Sequence, residues 1–229
     1  AQDFSLETIP PHISLRVLAE EKNSLFGGDR IMDTPQAISR VFRSPKYTRT
    51  MIVSTAGSFD LNDRPLKFRW TILQGDESRI RIRPLNEAGS IAEVVVAWHE
   101  RFPVTPRSRL ETNRVDIGVF ADNGESLSAP AFVSTYFLDN EMRVYDAQQR
   151  LTVLDYDDPR KAGNYVDPMI EPRKEWRDEF RYDFQGRLTG WKRKRDGLVQ
   201  HFTANGRLVT KADAAGKPTE TRAVSYFLV

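Results

Sequence analysis

The chain of 229 residues has no cysteine, which excludes disulfides, thiolate zinc sites and cysteine nucleophiles together. Histidine is scarce too: His12, His99 and His201 lie far apart, and no two stand at a metal-ligand spacing. No apolar run approaches the roughly 18 residues needed to cross a bilayer, so no transmembrane segment is expected. Charge of one sign is missing as well. The 34 Lys and Arg against 32 Asp and Glu leave a net +2, with no broad field for a nucleic acid or an anionic membrane. A specific nucleic-acid partner is therefore not expected. Phosphate-cradling glycine loops and a Gly-x-Ser-x-Gly elbow are absent, which leaves Ser128 and Ser134 without a catalytic context. What is present is an apolar fraction of 39%, adequate for the core of one large or two small domains. Ala1-Gln2-Asp3 suits the start left by a signal peptidase, and a cut within a longer chain suits it equally.

From His12 to Ala19 the apolar positions Ile13, Leu15, Val17 and Ala19 recur with a period of two, which predicts a strand. After Gly27-Gly28, Thr34 stands as an N-cap before Pro35. Ile38, Val41 and Phe42 then share one face of a short helix that ends before Pro45. Strand-like runs follow at Met51 to Ser54, Leu66 to Leu73, Ile80 to Ile82, Ile91 to Trp98, Val115 to Phe120 and Ala131 to Phe137. Polar turns such as Asn62-Asp63, Gly75-Asp76 and Asp122-Asn123-Gly124 separate them. Short strands with frequent turn signals predict a β-sandwich. Phe102 to Asn113, with Pro103, Pro106 and three arginines, reads as a long exposed loop.

The last ninety residues contain an internal echo. Tyr145-Asp146-Ala147-Gln148-Gln149-Arg150-Leu151-Thr152 matches Tyr182-Asp183-Phe184-Gln185-Gly186-Arg187-Leu188-Thr189, and Phe202-Thr203-Ala204-Asn205-Gly206-Arg207-Leu208-Val209 is a third copy. Each reads as strand, tight turn, strand, with Gly186 or Asn205-Gly206 supplying positive φ. The tail is thus expected to be a set of antiparallel hairpins. Asp155 to Arg177, rich in proline, is expected to be an irregular excursion between the first two copies.

Asp60-Leu61-Asn62-Asp63-Arg64-Pro65-Leu66-Lys67-Phe68-Arg69-Trp70 resembles the signature of PKD-type immunoglobulin-like domains, an acidic turn before Pro-Leu-x-aromatic-x-Trp. The run Val115 to Gly124, followed by Leu127-Ser128-Ala129-Pro130-Ala131, is similar to the closing hairpin of that family. The resemblance covers residues 47–139 and implies an immunoglobulin-like sandwich with Trp70 between its sheets. The tail copies resemble the Tyr-Asp repeats of bacterial wrapping β-sheet proteins (YD/Rhs-like), and from these only the hairpin shape is taken. The expected fold class is all-β: 1–46 an N-terminal strand and short helix, 47–139 the sandwich, 140–229 the hairpin region.

Four groups of residues are candidates for chemistry. Asp60, Asn62 and Asp63, with Asp122 on a neighbouring loop, offer oxygen ligands for a calcium ion. The plainer reading is a turn bonded to its own backbone, and Arg64 sets a positive charge beside it. Asp155, Asp157 and Asp158 alternate as paired carboxylates would for a metal or for glycoside hydrolysis, but Pro159-Arg160-Lys161 favours a local ion-pair patch. His99 and Glu100 are adjacent, yet neighbours on an extended chain point to opposite faces. Trp191-Lys192-Arg193-Lys194-Arg195 combines aromatic and basic residues, as a polyanion site does; charge on an exposed edge strand also guards against aggregation. Trp176 and Trp191 are candidates to stack on sugar rings, with Arg193 and Arg195 beside them.

No catalytic constellation emerges. The resemblance implies a non-catalytic binding or spacer module of a larger secreted, cell-surface or periplasmic bacterial protein. Its partner is expected to be a polysaccharide or a protein, with a catalytic domain upstream and calcium the one candidate cofactor. Two alternatives stay open: a glycoside hydrolase or lyase using Asp155, Asp157 or Glu171, and a polyanion-binding protein using Arg193 to Arg195.

Overall fold

The computed structural model describes residues 6–21, 29–105, 107–161, 167 and 174–224. The fold is all-β and divides into two compact units, Ala1–Ser44 with Thr48–Phe137 and Pro45–Tyr47 with Leu138–Val229. No helix among the described residues is long and apolar enough to cross a membrane.

The first unit contains β1 (Arg16–Glu20), β2 (Arg30–Thr34), β3 (Ala37–Phe42), β4 (Thr48–Ser54), β5 (Lys67–Gln74), β6 (Ile80–Pro84), β7 (Ile91–Ala97), β8 (Phe102–Pro103), β9 (Glu111–Thr112), β10 (Arg114–Asp122) and β11 (Ala131–Phe137). They form a four-stranded sheet ordered β1-β4-β7-β6, a five-stranded sheet ordered β2-β3-β11-β10-β5 and a small β8-β9 ribbon. Every pairing is antiparallel except β3 with β11. In chain order β1, β4, β5, β6, β7, β10 and β11 take the A to G positions of an immunoglobulin-like sandwich, ABED on one sheet and CFG on the other.

Period-two patterning builds the core between these sheets. Met51 and Val53 of β4, Val94 and Val96 of β7, Val115, Ile117 and Val119 of β10, and Val133 and Phe137 of β11 are all buried. Burying each large side chain contributes about 1.5–3 kcal/mol. Phe42, Trp98 and Phe137 close one part of the core, with ring centroids 5.1–5.8 Å apart. At the end of β5, Gly75 has φ +137, and a Cβ there would lie 2.5 Å from Ile80 Cδ1 and 3.1 Å from Val115 Cγ2. Only glycine permits both that backbone and that approach. Trp70 lies on the inner face of β5 as expected, but it is half-buried, because β5 is an edge strand. Its indole N–H donates to the Gly89 carbonyl at 2.9 Å.

The expected N-terminal helix is a hairpin instead. Pro35 and Gln36 turn β2 into β3, and Thr34 Oγ1 both accepts from Ala37 N–H at 3.1 Å and donates to its carbonyl at 3.2 Å. Ile38 and Val41 face opposite sides of β3, yet both are buried. A strand covered on both faces thus reproduces the i, i+3, i+4 spacing of a helix, and tertiary packing overrides the local signal. Phe102 to Asn113 is an exposed excursion as expected, pinched at its base by the β8-β9 ribbon.

The second unit is a seven-stranded antiparallel meander: β12 (Met142–Tyr145), β13 (Leu151–Asp155), β14 (Arg177–Tyr182), β15 (Leu188–Arg195), β16 (Leu198–Thr203), β17 (Leu208–Ala212) and β18 (Pro218–Arg222). The three echoes form three of its turns, and a fourth turn of the same kind occurs at Asp213–Lys217. In each, the first residue's N–H donates to the carbonyl four residues on at 3.0 Å, and the N–H of the fourth residue returns to the first carbonyl at 2.9 Å. The fourth residue has positive φ every time: Gln149, Gly186, Gly206 and Gly216. Asp146, Asp183 and Asp213 add a carboxylate that accepts the backbone N–H of Arg150, Arg187 and Lys217 at 2.8–2.9 Å.

Candidate functional site

In the acidic turn between β4 and β5, Asp60 is buried. Its Oδ1 accepts the N–H of Asn62 at 2.8 Å and of Arg64 at 3.5 Å, and its Oδ2 accepts the Asn123 amide at 2.7 Å. The bond from Asn123 holds its carboxyl below the ordinary range, with the Asn62 and Arg64 N–H groups adding to the effect. The loop expected to neighbour the turn is therefore there, but Asn123 meets Asp60 and Asp122 does not. Asp122 accepts the Gly124 N–H at 2.9 Å and pairs with Arg69, and Arg64 pairs with Glu125 at 2.9 Å. Asp63 is exposed with φ +55. Asp60 and Asp122 thus each accept N–H groups of the chain, and Arg64 and Arg69 bring positive charge beside them. Among the described residues no cluster of three His, Asp or Glu is arranged to hold a metal.

The second acidic group is also committed. Asp155 accepts from Arg177 at 3.0 Å and from the Asp157 N–H at 3.0 Å, while Asp158 holds Arg160 through Nε and Nη2 at 2.7–3.2 Å. Asp157 is exposed, and Glu171 lies outside the described residues. His99 and Glu100 do not meet: His99 is buried and Glu100 is exposed.

The basic–aromatic run lies on β15, which is an interior strand. The edge-guard explanation is therefore corrected, since β14 and β16 flank the run. Lys192, Arg193 and Lys194 are matched across the strands, while Arg195 pairs with the adjacent Asp196 at 3.5 Å. Arg193 donates from Nε and Nη2 to the two Asp178 oxygens, both at 2.8 Å. Lys192 and Lys194 reach Glu179 at 2.6 and 3.0 Å and hold its carboxyl down at about 2. Burial pushes the Asp178 carboxyl up, against the bonds from Arg193 and Trp176. Of the four binding candidates, Trp176, Arg193 and Arg195 come together, with the guanidinium carbons 4.2 and 5.7 Å from the Trp176 centroid. Trp191 joins them through Phe202, whose ring also carries the Arg193 guanidinium carbon at 5.1 Å. It is buried, stacked on Phe202 at 5.1 Å and 9°, and beside Phe180 at 5.8 Å. It presents no face for a sugar.

Sequence reasoning missed two arrangements. Glu20 gathers Arg40 at 2.8 Å, Arg49 at 2.9 Å and Arg30 at 3.0 Å, and Arg49 also reaches Asp29 at 2.6 Å. Burial by itself would raise the Glu20 carboxyl, but the arginines outweigh it and hold it at about 2. His99 is the other. Its Nε2 accepts the Asp76 N–H at 3.1 Å, so the proton sits on Nδ1 and is donated to the Ala97 carbonyl at 2.9 Å. Burial pushes the His99 pKa down, and Arg79 adds to that. No short motif marks the Glu20 group, whose members are scattered from 20 to 49. No known family model matches the chain, and no curated protein matches it.

Proposed function

We propose that the chain is a non-catalytic binding or spacer module of a larger secreted bacterial protein, positioning a partner domain on polysaccharide or protein. One observation carries this reading: within each unit the candidate charged groups are taken up by bonds to their own neighbours, and the strand order of the first unit is immunoglobulin-like. Asp155 and Asp158 each carry an arginine, and a carboxylate so tied is a poor general acid or nucleophile. The likeness of residues 60–70 and 115–131 to PKD-type domains supports the same role by fold analogy. The test is to incubate the chain with insoluble cellulose, chitin, xylan and polygalacturonate, and to measure both retention and release of reducing or unsaturated sugar. Retention without release is expected; release abolished by Asp155→Asn would overturn the proposal in favour of an enzyme.

A further inference from the structure

Three phenylalanines among the described residues are exposed: Phe59, Phe132 and Phe184. A lone exposed ring needs no explanation. Phe59 differs in what it lines, a cleft of about 360 Å³ at the connection from β4 to β5. That volume falls at the small end of ligand clefts, roughly 300–1,000 Å³. The ring is also firmly placed. The Phe59 N–H donates to the His12 carbonyl at 3.0 Å, the Phe59 carbonyl accepts the His12 N–H at 2.8 Å, and the two rings lie 5.1 Å apart at 33°. An apolar ring is thus held half-exposed on a fixed backbone.

The lining of the cleft is of two kinds. Phe59, Leu66 and Phe68 supply apolar surface. Of the polar groups, the hydroxyls of Thr55 and Ser58 already bond to Ser90 and Ser14, and Asp60 is taken up by Asn123 and its own turn. Asp63 and Arg64 remain. The Asp63 carboxylate is exposed and has no hydrogen bond or ion pair among the described residues, while its φ of +55 and the buried Asp60–Asn123 bond fix the turn that carries it. Arg64 spends Nη1 on the Glu7 carbonyl at 3.2 Å and on Glu125 at 2.9 Å, which leaves its Nε and Nη2 without a bond among the described residues. An acceptor and a donor fork therefore stand beside the aromatic ring.

We infer that this cleft takes a sugar ring without negative charge, its C–H face against Phe59 and its hydroxyls shared between Asp63 and Arg64. The inference rests on the reading of the chain as a binding module and names a ligand class and a place for it. Two features select the ligand. A pyranose has an apolar face and a rim of hydroxyls that both donate and accept, which matches an aromatic ring beside an acceptor-only carboxylate and a donor-only guanidinium. Charge sets the second limit. Asp60 and Asp63 stand in the lining against one guanidinium, which Glu125 already neutralises, so the cleft repels uronates and phosphates and favours neutral or amino sugars.

The experiment is to titrate the full chain with soluble β-linked oligomers of glucose and of glucosamine and with oligogalacturonate, at a pH where the amine is protonated, while following backbone amides by NMR. The titrations are repeated with Phe59→Ala, Asp63→Asn and Phe184→Ala. Shifts confined to residues 55–68 are expected, with glucosamine oligomers bound most tightly, glucose oligomers next and galacturonate least. Phe59→Ala should weaken binding about tenfold or more, and Phe184→Ala should leave it unchanged. Asparagine also tolerates positive φ, so Asp63→Asn keeps the turn and should remove the preference for glucosamine over glucose. Galacturonate bound as well as the others, Phe59→Ala equal to the unaltered chain, or no binding of any of the three overturns the sugar cleft. The module reading fails separately. Retention on insoluble polysaccharide that survives Phe59→Ala leaves that reading standing and the cleft disproved, whereas release of sugar overturns the module reading whatever the cleft binds.

Discussion

The two units hold their strands together by different means. In the sandwich, two sheets enclose a continuous layer of Val, Ile, Phe and Trp, and nearly every inward position of β4, β7, β10 and β11 is buried. Among the described residues the meander buries the apolar side chains Leu151, Leu154, Phe180, Trp191 and Phe202, and β17 and β18 bury nothing. Its regularity comes from a turn used four times and from ion pairs laid across β14 and β15. One unit is specified mainly by what it removes from water, the other largely by local hydrogen bonds that set register. Mutations that delete apolar volume should therefore separate the units more sharply than mutations that delete charge.

The largest separation is expected from Phe137→Ala. Phe137 is fully packed against Phe42, Trp98 and His99, with centroids 5.1–5.3 Å away, so its loss should cost about 3–5 kcal/mol in urea unfolding. Leu198→Ala in β16, at a residue 68% exposed, should change stability by less than about 0.5 kcal/mol. A loss at Leu198 equal to that at Phe137 would show that Leu198 is packed in the folded chain and not exposed.

Charge breaks the pattern at one place. Glu20→Gln leaves Arg40, wholly buried, and Arg49, nearly so, without their shared carboxylate, and removing one member of a buried ion pair costs about 3–5 kcal/mol. The somewhat smaller value of about 3 kcal/mol is expected here, because Asp33 and Asp29 still reach these arginines. A loss under about 1 kcal/mol would mean that the packing around β1 to β4 is sufficient by itself.

How much of this could be read from the sequence follows from where the information resides. Most strands from Met51 to Phe137 were legible because one buried face imprints a period of two; β10 is buried on both faces but was legible all the same, since Asp116 and Gly118 alternate with Val115, Ile117 and Val119. Ala131–Phe137 matches the expected run at both ends. β3 was not legible, since burial of both faces erases the period. The hairpin turns were legible because their bonds join residues four apart, so Asp-x-x-Gly-Arg is itself the structure. The fourth copy was missed because lysine replaces arginine and Ala212 replaces the aromatic, although Asp213-x-x-Gly216-Lys217 retained the signal. At the candidate sites the sequence named the acidic turn but not its partner Asn123, and it placed the basic run on an edge when β16 covers it. The Asn123 bond joins residues 63 apart, which no local pattern records, whereas β16 folds back on the basic run directly across Asp196-Gly197, a local turn signal that went unread.

Acid should weaken the units unequally. The His99 pKa is depressed below the ordinary 6.5, so the folded state binds fewer protons than the unfolded state between the two values. Its contribution is complete above pH 6.5 and is lost as the pH falls toward the folded value. Protonation would set an N–H of the ring against the Asp76 N–H, a conflict of about 1–3 kcal/mol. Hydrogen exchange at pH 7.5 and pH 5 should show amides of the sandwich losing protection around Asp76 to Arg79, with the meander turns unchanged. Replacement by His99→Gln should remove the difference; equal loss of protection in both units would assign the acid effect to other groups.

The smallest effect tests whether the meander truly rests on its turns. Asp183 accepts the Gln185 and Arg187 N–H groups at 2.9 Å and Arg187 Nε at 2.8 Å, all at an exposed site, so Asp183→Ala should lower stability only slightly, read as a small downward shift of the unfolding midpoint. In the third copy Thr203 accepts only the Arg207 N–H, at 3.1 Å, and Arg207 Nε bonds to Thr221 at 2.8 Å instead. Thr203→Asp restores the carboxylate but offers Arg207 a second partner at the expense of its link to β18. If the turn governs register, the variant should gain up to about 0.5 kcal/mol, with β18 amides exchanging faster. If the link across to Thr221 matters more, it should lose stability despite the better turn, and β18 would prove to be held by Arg207 rather than by the repeated hairpin geometry.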